Sequence, residues 1–241
     1  MIEQAKLKPI KGKHQFGLSG YYFIALIVLA LLGFWPTYFS TFVNGTGDFK
    51  FYFHFHAIVV FLWILLLIAQ PILVVKKRLS SHRLLGNFSY LLFPLIFISV
   101  ILVSHNRHPA SEQDFDMRLL VPFKDLIILS VAYSIAIFNR HNIELHARGM
   151  IVTGLVFIEP ALIRFINYAN VPFPTAYFLT IAIIFSLLIT LIFLEGNQKK
   201  GRWIFPLTLG MYLVMHTIII LEIRIPLWAS FAKWFASLSI T

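Results

Sequence analysis

The side chains best suited to chemistry in this chain are histidines, nine of them in 241 residues that include no cysteine. Without thiols there are no disulfides, thiolate zinc sites, cysteine nucleophiles or haem attached through Cys-x-x-Cys-His. Chemistry therefore falls to imidazoles, carboxylates or a cofactor held without covalent bonds. Two histidines have similar neighbourhoods. His82 is followed by Gly86 at i+4 and Ser89 at i+7, and His146 by Gly149 at i+3, Met150 at i+4 and Thr153 at i+7. An imidazole with a glycine one helical turn away offers a nitrogen to iron and a bare helix surface to a flat macrocycle. His82, His146, Gly86 and Gly149 therefore form a candidate haem b site. Glycine also lets membrane helices approach closely, so a packing role stands beside that one.

A second group of polar residues lies deeper in apolar sequence. His56, Trp63 and Gln70 are spaced by seven and fall on one helical stripe, readable as a packing seam or, for His56 and Gln70, as part of a site. Asp125, Glu159, Arg164 and His216 each sit inside an apolar run, where a polar group needs a partner or a function. Glu159 and Arg164 are five apart, roughly 140° around a helix, so neither serves the other. The spacing suggests Arg164 with Asp125 and Glu159 with His216 or Lys124, and Tyr212, one turn from His216, is placed to orient it. Three readings stay open: a second haem or a quinone site using His56 and His216, a zinc centre in which an ionised carboxylate activates water, or an ion-pair network that fixes helix register. His105 and His108 with Glu112, Asp114 and Asp116 could gather a divalent ion in a loop. His14 and His141 are expected to be solvated.

These residues are positioned by membrane helices. The chain is 59% hydrophobic and 12% charged, with a mean hydropathy of +0.82, against about 25% charged in a soluble domain. Runs long enough to cross about 30 Å of hydrocarbon extend over Tyr21–Phe42, Phe55–Val75, Leu84–Ser104, Leu119–Phe138, Met150–Ile166, Ala176–Leu194 and Trp203–Leu221. The fold class expected is an all-α polytopic bundle of about seven transmembrane helices, a single integral membrane domain over 1–241, with 1–19 as a basic tail. The net charge of +10 is concentrated before the first run, in Lys76-Lys77-Arg78 with Arg83, in Arg140 with Arg148, and in Lys199-Lys200 with Arg202. Those are alternate loops. The positive-inside rule then puts the amino terminus in the cytoplasm and the carboxyl terminus outside, with the lipid bilayer as partner and nucleic acid excluded. Residues 226–241 read as an interfacial helix, with Leu227, Phe231, Trp234 and Leu238 at helical spacing. The first run is too long for a signal peptide and closes on Trp35-Pro36, unlike a cleavage site.

The stretch His56-Ala57, Trp63, Gln70 and His82-Arg83-Leu84-Leu85-Gly86, with His146-Ala147-Arg148-Gly149-Met150 and Arg164 following, resembles a family of uncharacterised bacterial multi-pass membrane proteins. An Ala is inserted in the second motif. The order His56, Gln70, His82, Gly86 is more distantly similar to cytochrome b561, although the fourth helix here carries no His. That resemblance implies haem on paired histidines and electron transfer, and the first one a bacterial cytoplasmic membrane; a quinone or redox partner is then expected near His56, Asp125 and Arg164. A looser likeness is to seven-helix zinc hydrolases of the alkaline ceramidase and adiponectin-receptor type, but His216 has no second His four residues away. The expectations are thus a haem-binding electron-transfer protein with an oxidoreductase role, a zinc hydrolase acting on lipid, or a non-catalytic assembly factor or small transporter.

Overall fold

The computed structural model of the protein describes residues 19–47, 49–107, 114–195 and 200–241. Every regular element among them is helical. Six helices are long and apolar enough to cross a membrane: α1 Ser19–Val43, α2 Phe51–Val75, α3 Leu79–Arg107, α4 Phe115–Phe138, α5 Ile143–Tyr168 and α6 Phe173–Leu194. A seventh, α7 Ile204–Ile220, is apolar but shorter, and α8 Pro226–Ala236 closes the chain. The chain is a multi-pass helical membrane protein. The basic tail and the loop residues His108 and Glu112 lie outside the described residues.

Two of the spans depart from regular α-geometry. In α1 a π-helical turn covers Trp35–Phe39, around Pro36, whose ring cannot donate to the ladder. α5 consists of two segments, Ile143–Leu155 and Ile158–Tyr168. The interruption falls at Val156 and Phe157. Pro160 lacks the N–H that would bond the Val156 carbonyl, four residues back, and its ring crowds that carbonyl.

α2 packs along α3, α4 along the first segment of α5, and α1 against α2 and the second segment of α5, while α6 and α7 complete the bundle. Trp63 is fully buried, its ring 5.6 Å from Tyr133 and 6.4 Å from Phe93. The stripe His56, Trp63, Gln70 is the α2–α3 seam from end to end. His56 meets Ser99, Trp63 meets Phe93 and Gln70 meets the His82 backbone. Large side chains that face outward, among them Ile58, Phe61, Leu65, Phe88, Phe178 and Leu213, are the lipid-facing surface such a bundle requires.

The last helix is amphipathic as expected, and one face of it is covered by the bundle. Ala232 and Phe235 are buried with Leu119, and Trp228, Phe231 and Leu238 pack around them. Leu227 and Trp234, which share the apolar spacing, are 81% and 57% exposed and turn away from the bundle. The reason is a pair of polar anchors. The Trp228 indole donates to the Asp116 carbonyl at 2.7 Å, and Arg224 holds Asp116 at 2.8 Å and also Asp114. These contacts turn the helix so that Trp228 faces α4.

Candidate functional site

Two separate groups of polar side chains contain most of the candidate residues. The first joins the starts of α3 and α5. His82 and His146 have ring centres 6.4 Å apart, with planes at 81°. Each Nδ1 faces a backbone carbonyl, Gln70 O at 3.4 Å from His82 and Ala136 O at 2.9 Å from His146. The Ala136 carbonyl lies in the last turn of α4, where carbonyls have no partner within the helix, and His146 supplies one. A carbonyl only accepts, so Nδ1 carries a proton, and in the neutral ring the lone pair is then on Nε2. That is how a metal-ligating imidazole is commonly oriented. Gln70 fixes the other side by donating from Nε2 to the His82 carbonyl at 3.1 Å.

The two glycines differ. A methyl group at Gly86 would meet only the Gln70 amide, at 3.6 Å, so the surface of α3 one turn from His82 is bare. At Gly149 it would lie 2.8 Å from the Ala132 carbonyl and 2.9 Å from Ala136. Gly149 is therefore the close contact that lets α5 pack on α4, and the space beside it is filled by helix rather than open to a planar ligand. Met150 and Thr153 bond within α5, Thr153 Oγ1 donating to the Met150 carbonyl at 2.7 Å.

The second group lies in the interior. Lys124 is fully buried and donates to Asp125 Oδ1 at 2.7 Å and Glu159 Oε2 at 2.8 Å. His216 Nε2 stands 3.5 Å from the same Glu159 oxygen, and its Nδ1 is 2.9 Å from the Tyr177 hydroxyl. Tyr212 stacks on His216, ring centres 5.8 Å apart, and lies 5.6 Å from the Lys124 ammonium. The expected pairing of Glu159 with Lys124 and His216 is present. Arg164 and Asp125 do not pair: Asp125 is held by its neighbour Lys124, while Arg164 donates to Pro160 O at 2.6 Å and lies over the Phe34 ring. Tyr177 rather than Tyr212 provides the hydrogen bond to His216.

His56 is not part of this group. The Ser99 hydroxyl gives its proton to the Ile96 carbonyl at 2.8 Å and so accepts from His56 Nδ1 at 3.0 Å. His56 bonds Ser99 and His216 bonds Tyr177, and His56, Asp125 and Arg164 have separate partners. In the loop region, Asp114 and Asp116 bind Arg224, and His105 bonds Thr241 at 2.6 Å. Among the described residues no group of three or more His, Asp or Glu side chains converges as a metal-binding set. A zinc hydrolase needs such a set; a haem iron held by two imidazoles does not.

One buried pair has no counterpart in the sequence reading. Arg148, counted there among the cytoplasmic loop charges, is fully buried, bonds Glu195 and donates to the Glu144 carbonyl at 2.8 Å. The sequence signal was present in Glu195, an acid placed right after an apolar run.

Comparisons of the chain with protein-family models, with curated proteins and with solved structures find no match.

Proposed function

We propose that the protein is a b-type haem-binding electron-transfer protein of a bacterial cytoplasmic membrane, with His82 and His146 as the two axial ligands. The observation that carries this reading is the 6.4 Å separation of two imidazoles on different helices, both with Nδ1 turned to a carbonyl. A metal–imidazole bond is about 2 Å long, so rings this close would lie within reach of one ion. The bare surface at Gly86 would suit a flat ring against α3, whereas the space at Gly149 is filled by α4.

Bound haem would supply one-electron transfer through its iron. The chain's own residues do the positioning. Ala136 and Gln70 hold the two rings through their carbonyls, which also raises the basicity of the coordinating nitrogens. Gln70 ties the start of α3 to α2, so both ligands sit on packed helices rather than on a loop. Trp63, Phe93 and Tyr133 fill the bundle beyond.

Absorption spectroscopy of the full chain, purified in detergent after expression with haem precursor, tests this. A Soret band that sharpens and shifts on dithionite reduction is expected, with loss in His82→Ala and in His146→Ala and retention in His216→Ala. Colourless wild-type protein, or colour that follows His216, would remove the proposal. Protein with stoichiometric zinc and no colour would favour the hydrolase reading instead.

A further inference from the structure

The interior cluster is not used by the haem reading and carries an inference of its own. One ammonium, Lys124, serves two carboxylates, Asp125 and Glu159, and with a neutral imidazole the formal sum of the cluster is one negative charge. Burying an uncompensated charge in a membrane interior is costly, and such groups neutralise or mark a pathway for protons or ions. Two atoms in the cluster lack hydrogen-bond partners although their residues are buried: Tyr212 Oη and His216 Nε2. His216 Nε2 stands 3.5 Å from Glu159, longer than a good hydrogen bond. An added proton on the imidazole would let Nε2 donate to Glu159 while Nδ1 donates to the Tyr177 oxygen, and would bring the formal sum to zero.

We propose that Asp125, Lys124, Glu159 and His216 form a proton-binding site within the membrane domain, holding one exchangeable proton beyond that of Lys124. The side chains of Lys124, Glu159 and His216 are at most 6% exposed, whereas that of Asp125 is 18% exposed. Asp125 is thus the most accessible of the four. With a proton on Asp125, Lys124 gives one N–H proton to Glu159 and takes the Asp125 proton in return, and protonated Glu159 then gives its proton to the lone pair of His216 Nε2 across 3.5 Å. The Tyr177 hydroxyl is the far end. Nothing is oxidised or reduced in the transfer. The groups that face the site are Lys124 and Asp125 from α4, Glu159 from α5, Tyr177 from α6 and Tyr212 and His216 from α7.

Infrared difference spectroscopy of the full-length protein in lipid nanodiscs, stepped between acidic and alkaline buffer in H2O and D2O, tests the site without reference to any cofactor. The expected result is a titrating band, from a protonated carboxyl or an imidazolium, that shifts in D2O. It is lost in at least one of Asp125→Asn, Glu159→Gln and His216→Gln and unchanged in His141→Gln. In His216→Gln, which keeps a hydrogen-bonding side chain, a surviving carboxyl band should titrate about one pH unit or more away from wild type. Wild-type protein with no such band, or a band that persists unmoved in all three variants eluting as folded protein, would overturn the proposal.

Discussion

The two polar groups satisfy their side chains in opposite ways. At the starts of α3 and α5, His82 and His146 are half-buried and bonded through Nδ1 to backbone carbonyls. In the interior, Lys124, Asp125 and Glu159 depend on one another's side-chain charges. The first arrangement leaves a nitrogen lone pair on each ring for a ligand, and the backbone that orients it persists if a ring is removed. The second has no such reserve. Losing one member strands the others in a medium that solvates charge poorly. Ligand binding and stability should therefore separate between the two regions.

The largest expected effect is on the interior. Lys124→Met leaves two carboxylates on one buried site and should destabilise the protein by about 3–5 kcal/mol, read as thermal unfolding in detergent. The triple variant Lys124→Met, Asp125→Asn, Glu159→Gln should recover much of that loss. A single Lys124→Met that unfolds like wild type would erase the contrast. Next comes the glycine pair. Gly149→Ala forces a methyl against the α4 backbone and should cost about 1–3 kcal/mol, whereas Gly86→Ala, with space around it, should leave the unfolding temperature unchanged. Equal effects at the two positions would mean that α3 is as closely packed there as α5. Smaller again is Tyr177→Phe, which removes one hydrogen bond to His216 and should cost about 1 kcal/mol. His82→Ala and His146→Ala should change colour far more than the stability of the protein stripped of haem.

Hydrophobic run length made the helices readable, because the bilayer sets one length for every span. The amphipathic end was readable too, but not its orientation. Leu227 and Trp234 share the apolar spacing, and only Arg224 and Trp228, bonded to Asp114 and Asp116 more than a hundred residues away, decide which face turns inward. The seven-residue spacing of His56, Trp63 and Gln70 placed them on one stripe, and that stripe became the α2–α3 seam. Spacing within a helix could not reveal partners between helices. Lys124 was available to Glu159, but its adjacency to Asp125 left Arg164 without a carboxylate, and Tyr177 was invisible because its role comes from the packing of α6 against α7. The same limit applies to Gly149: i+3 spacing from a histidine is compatible with a bare ligand surface and with a helix crossing, and the approach of Ala132 and Ala136 makes it a crossing.

The central claim concerns His82 and His146, and electron paramagnetic resonance of the oxidised, purified protein tests it most directly. Iron held by both His82 and His146 would give a low-spin signal, converted to high-spin or lost when either histidine is replaced by Ala. A wild-type sample with no haem signal, or with a high-spin signal alone, would contradict the assignment of these two residues as axial ligands.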